Sequence, residues 1–91
     1  MAITHERLAV TNSYATKVTE THPTYNQVSI SIQNLGEGVC YVGGSDVSDV
    51  EYGMSVVAGG VVSIDNISAN DDLWVIHQDA STHVAVLRVS R

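Results

Sequence analysis

In Asn26-Gln27-Val28-Ser29-Ile30-Ser31-Ile32-Gln33-Asn34, polar and apolar side chains alternate strictly from Gln27 to Gln33. In extended backbone, successive side chains point to opposite faces. Val28, Ile30 and Ile32 therefore share one face, and Ser29, Ser31 and Gln33 share the other. This period of two predicts a strand with one face in a core and one in water. Downstream, Leu35-Gly36-Glu37-Gly38 reads as a turn with two glycines available for positive φ. Val39–Val42 is a short strand, stopped by Gly43-Gly44.

The same reading extends to both ends of the chain. Ser45–Glu51 is polar and irregular, and Ser48 with Glu51 is suited to capping a single helical turn. Met54–Ala58, Gly59-Gly60 and Val61–Asp65 read as strand, tight turn, strand. Asn66–Asp72 is a polar connection, and Leu73–His77 and Val84–Val89 are the last two strands, joined by Gln78–Thr82 as a hairpin loop. Upstream, Arg7–Thr11 and Ala15–Thr19 are short strands and Glu20–Tyr25 is a loop. No segment shows an apolar stripe at helical spacing. The prediction is an all-β fold, a small antiparallel sandwich or barrel of seven to eight short strands. The 91 residues make a single domain, with 1–25 as a candidate extended arm.

Leu73–His77 and Val84–Val89 differ from the opening strand in being apolar on both faces. A two-layer sandwich requires only one apolar face per strand. Two readings stay open: central strands covered on both sides within the domain, or a second face covered by a neighbouring copy.

Composition narrows the function. The net charge is −6, and the four cations Arg7, Lys17, Arg88 and Arg91 are scattered along the chain. Phosphate recognition needs clustered basic residues, so neither nucleic acid nor an anionic membrane surface is expected as a partner. The single cysteine, Cys40, has no partner for an internal disulfide, which suggests a reducing compartment. The first ten residues lack the pattern of a signal peptide, and no apolar run approaches the ~20 residues that cross a bilayer.

Catalytic motifs fail individually. Gly53-Met54-Ser55-Val56-Val57 places valine where a nucleophile elbow needs its second glycine. Gly36-Glu37-Gly38 lacks the third glycine and the helix of a dinucleotide loop. His77 and His83 flank the last loop and, with Asp79, have donor types that suit zinc, but their spacing matches no standard site. Asp46, Asp49 and Glu51 form an acidic cluster without EF-hand spacing. Cys40 has no base nearby in sequence, so it reads as an inert thiol. Trp74 with Tyr14, Tyr25, Tyr41 and Tyr52 has the aromatic content of a sugar platform, although their scatter favours core and interface duty. No enzyme activity, cofactor or metal is expected.

Ser29–Val47, SISIQNLGEGVCYVGGSDV, resembles small virion proteins of tailed bacteriophages. In that group an alternating strand ends in Gln-Asn and a glycine-containing turn, and a Val-Tyr-Val-Gly-Gly-Ser-Asp-Val-like strand and loop follow. Val57–Val61, Asp71–Ile76 and Val84–Val89 are similar to the later strands of the group, and Tyr14–Val18 to its first. The likeness covers most of Ala15–Val89, and its motifs are those of turns and strands. It implies a β-sandwich of the phage particle, assembled in the host cytoplasm. The role expected is a capsid decoration protein that binds the outer shell and bridges capsid subunits, with the major capsid protein or another virion protein as partner. A homo-oligomer is expected, with a trimer as the guess. The alternatives are a tail, neck or fibre component and a carbohydrate-binding module. The interface expected from the apolar and aromatic residues is Tyr14, Tyr25, Trp74, Ile76, Leu87 and Val89.

Overall fold

The computed structural model describes residues 2–19, 27–68 and 71–90. These residues form eight strands: β1 (Ala2–Val10), β2 (Thr16–Lys17), β3 (Gln27–Asn34), β4 (Cys40–Gly43), β5 (Met54–Val56), β6 (Val61–Ser68), β7 (Trp74–His77) and β8 (Thr82–Ser90). Two four-stranded antiparallel sheets result, ordered β1-β8-β3-β6 and β2-β7-β4-β5. The all-β fold expected from the sequence forms, and of the two architectures it allowed, sandwich or barrel, it is the sandwich.

The alternation in β3 is kept in full. Val28, Ile30 and Ile32 are buried between the sheets, and Asn34 continues the inward row. Along β8 the inward set is Val84, Val86 and Arg88, and from the second sheet Cys40, Val42, Val56 and Val75 meet them. Most of this core is β-branched. Such side chains lose little by packing on a pleated surface, and each contributes roughly 1.5–3 kcal/mol when fully buried.

The connections differ from the expectation. Met54–Ala58 and Val61–Asp65 do not form a hairpin, because β5 and β6 lie in different sheets. Gly59, at φ 76°, turns the chain from one sheet to the other, helped by the Gly60 N–H donating to the Val57 carbonyl at 2.8 Å. Likewise β7 and β8 are not paired across Gln78–Thr82, and β8 sits between β1 and β3. Only β4 and β5 follow one another within a sheet. This order, with the chain crossing between sheets at nearly every turn, is that of an eight-stranded jelly roll.

Two strands run longer than the sequence suggests. Ala2–Val10, within the candidate arm, lies along the whole length of β8, from Ala2 opposite Ser90 to Val10 opposite Thr82. Strand β6 continues past Asp65 through a bulge. Val28 and Ile30 of β3 face Ile67 and Ile64, so β6 carries one extra residue there. Asn66 takes up the irregularity at φ 58°, and its N–H donates to Ser29 Oγ at 3.2 Å.

Candidate interaction surfaces

At one end of the core three polar side chains meet. Asn34, at the end of β3, donates from Nδ2 to the carbonyls of Gly38 and Val56, both at 2.8 Å. Its Oδ1 accepts from the Gly36 N–H at 3.0 Å and lies 2.7 Å from His77 Nε2. The Asp79 N–H donates to His77 Nδ1 at 2.9 Å. That donor forces Nδ1 to be the acceptor, so the proton of the neutral ring sits on Nε2 and points at Asn34. Asp79 Oδ2 accepts from the N–H groups of Glu37 and Gly38, at 3.1 and 3.2 Å. All four hydrogen-bonding positions of the Asn34 amide are used, and the network ties β3, the β3–β4 turn, β5 and β7 together.

Burial lowers the pKa of His77 from its ordinary value, against the smaller raising effect of the Asp79 carboxylate. Cys40 stands opposite His77 in the β4–β7 register, but burial keeps its thiol protonated, and the chemistry of the group is that of a buried brace. Gly36 and Gly38 serve it by close approach, and neither adopts the positive φ expected of them. A Cβ on Gly36 would stand 2.7 Å from the His77 ring, and one on Gly38 would stand 2.6 Å from Asp79 Oδ1.

The other candidates are separated by the fold. His77 points into the core, whereas His83 faces outward opposite Ala9, so the two histidines do not converge. Among the described residues no group of three His, Cys, Asp or Glu side chains is placed to hold a metal ion. Cys40 is fully buried, and desolvation raises its pKa to about 12. Ser48 caps a turn without starting a helix: its Oγ accepts from the N–H groups of Val50 and Glu51, at 3.2 and 3.0 Å. Its own N–H donates to the Glu51 carbonyl at 2.8 Å.

Arg88 was legible only as one of four cations, yet it is among the most buried polar residues. Its Nε donates to the Val18 carbonyl at 2.8 Å, and its Nη1 lies 3.3 Å from Glu6 Oε2. Its signal was its parity with Val84 and Val86, which places it on the inward face of β8.

The expected interface residues fall on opposite sides of the sandwich. Trp74 and Ile76 face outward from the second sheet, beside Gly43 and Tyr41. There the chain covers part of its own apolar face: Val47 is buried against Gly43, and the Tyr52 ring packs 4.8 Å from that of Tyr41. A cleft of about 310 Å³ remains, lined by Asn12, Tyr41, Ser48, Asp49, Ile76 and Gln78. Leu87 and Val89 face outward from the first sheet, where no segment among the described residues folds over them. Leu87 is 44% exposed, and with Ala85, Val61, His5, Arg7 and Gln33 it lines an open depression of about 320 Å³. Tyr14 is exposed in the β1–β2 connection, and Tyr25 lies outside the described residues. Strand β7 thus has much of its second face covered from within, while the second face of β8 is open.

No family model matches the chain, and no curated protein or solved structure matches it.

Proposed function

We propose that this chain is a non-enzymatic structural protein of a tailed-phage particle, a decoration protein that docks on the outer capsid shell and bridges its subunits. The observation that carries the docking role is the apolar strip of Ala85, Leu87 and Val61 on the open outer face of the β1-β8-β3-β6 sheet. A face of this kind, rimmed by polar side chains, marks a surface that another protein covers. Many modest contacts repeated over a shell add up without any single strong site. The virion setting is supported by the resemblance carried by Ser29–Val47. The jelly roll supports it by analogy only, since the architecture serves viral capsid and lectin domains alike. Gel stoichiometry on purified particles tests the proposal. A copy number comparable to that of the major capsid protein is expected, and a handful of copies would instead favour the tail, neck or fibre role.

A second reading, a carbohydrate-binding module, is favoured by the paired rings of Tyr41 and Tyr52 beside a cleft bearing Asn12, Asp49 and Gln78. Aromatic faces with nearby amides and carboxylates are the chemistry that holds a sugar ring. Glycan binding that disappears in Tyr52→Ala while the fold survives would establish it.

A further inference from the structure

The two outer faces of the sandwich are complementary to each other. On the second sheet, Ser45–Gly53 folds over the outer face and presents Val50 at its tip, 80% exposed. Three hydrogen bonds hold that tip: the Ser48 N–H donates to the Glu51 carbonyl, and Ser48 Oγ accepts from the N–H groups of Val50 and Glu51. Asp49 and Glu51 flank Val50, and neither has an ionic partner among the described residues. The result is a pre-ordered apolar knob between two carboxylates.

On the first sheet, the depression under Leu87 and Ala85 is apolar at its floor and bordered by Arg7 and His5. Of the described cations, Lys17 is paired with Asp72 and Arg88 with Glu6. Arg7 is exposed and has no ionic partner among the described residues. Glu6 also borders the depression, but its carboxylate is engaged by Arg88. In a chain of net charge −6, the one exposed cation without an ionic partner among the described residues thus stands beside the open apolar hollow.

We propose that copies of this chain associate head to tail: Val50 of one copy enters the hollow under Leu87 of the next, and Asp49 and Glu51 meet Arg7. The inference rests on the reading of the outer sheet face as a docking surface: it assigns the Leu87 hollow to a second copy and leaves Ile3, 65% exposed on the same face, with Val89 opposite it, for the shell. Because knob and hollow lie on opposite sheets, the contact is heterologous, joining two different patches rather than one patch to itself. Charged rims of opposite sign select this register and suppress others, and the ordered knob loses little freedom on docking. The contact should weaken with added salt.

Light scattering of the purified chain, as a function of concentration, tests this. The wild type is expected to form oligomers. Arg7→Glu, and separately Asp49→Lys with Glu51→Lys, should each move the association midpoint to a roughly tenfold or higher concentration. Combining the three changes in one chain should restore association, because every contact is then complementary with its signs reversed. Circular dichroism of each variant confirms that the fold is retained. A wild type that stays monomeric at all concentrations overturns the inference, as does a triple variant that folds but does not recover. A monomer that still coats particles at high copy number would sink this contact and leave the docking role standing.

Discussion

An added methyl group at Gly36 would meet the edge of the His77 ring, which is itself held from both nitrogens. Neither partner can move without breaking a buried hydrogen bond. Gly36→Ala is therefore expected to cost about 2 kcal/mol or more, read as a lowered urea midpoint with an unchanged slope. His77 also gives stability a pH dependence with a definite sign. Its folded pKa lies below the value of 6.5 that it has when exposed. Near and above neutrality neither state carries the proton, and the neutral brace is intact. Below 6.5 the unfolded chain takes up the proton more readily, so this contribution to stability is lost as pH falls toward the folded pKa. Urea melts stepped from pH 7.5 downward should show the loss beginning near 6.5, and Asp79→Asn, which removes the opposing carboxylate, should deepen it. The turn at Gly36 and Gly38 was legible in the sequence, but its reason was not. The atoms that exclude a side chain there belong to His77 and Asp79, some forty positions away.

Strands show the same division. The alternation of β3 identified it without ambiguity, because a slip of one residue would put Val28, Ile30 and Ile32 into water. Strand β1 was only partly legible: Thr4, His5 and Glu6 are polar on both faces, so no period of two stands out. Glu6 faces inward at β1 because it meets Arg88 across the ladder's neighbouring pairs, Glu6 with Val86 and Thr4 with Arg88. Arg88→Leu removes the donor to the Val18 carbonyl and leaves Glu6 without that cation, and should cost roughly 1–3 kcal/mol. Glu6→Gln should cost under ~1 kcal/mol, since that carboxylate is partly solvated. Thermal melts of the two variants separate the hydrogen bond from the ion pair. The turn between β5 and β6 gives a third case. Gly59 at φ 76° has open space around its Cα, so Gly59→Ala meets strain without collision and should cost about 1 kcal/mol.

For the whole molecule, one core joins the two sheets, and unfolding should be a single cooperative step. Cys40 reports on it, being fully buried with a thiol pKa raised to about 12. A thiol reagent should leave it untouched in native buffer, and labelling should rise with urea in step with the loss of the circular dichroism signal. Labelling that runs ahead of that signal would mean the β4 region opens on its own.

By itself the sequence determined the class of fold, the wetted and buried faces of β3, and the absence of any recognisable catalytic motif. These follow from local periodicity and spacing, which short-range sterics and burial enforce within a few residues. It misassigned two of the connections, reading both as hairpins. Gly59-Gly60 and Gln78–Thr82 reverse the chain equally well within a sheet or between sheets, and the choice depends on strands far away in sequence. Only the tertiary structure decided that both are crossings, that Arg88 and His77 are interior, and that Val50 and Leu87 stand on opposite outer faces. Each of those outcomes depends on how two sheets cover each other, an energy shared among residues that no local window contains.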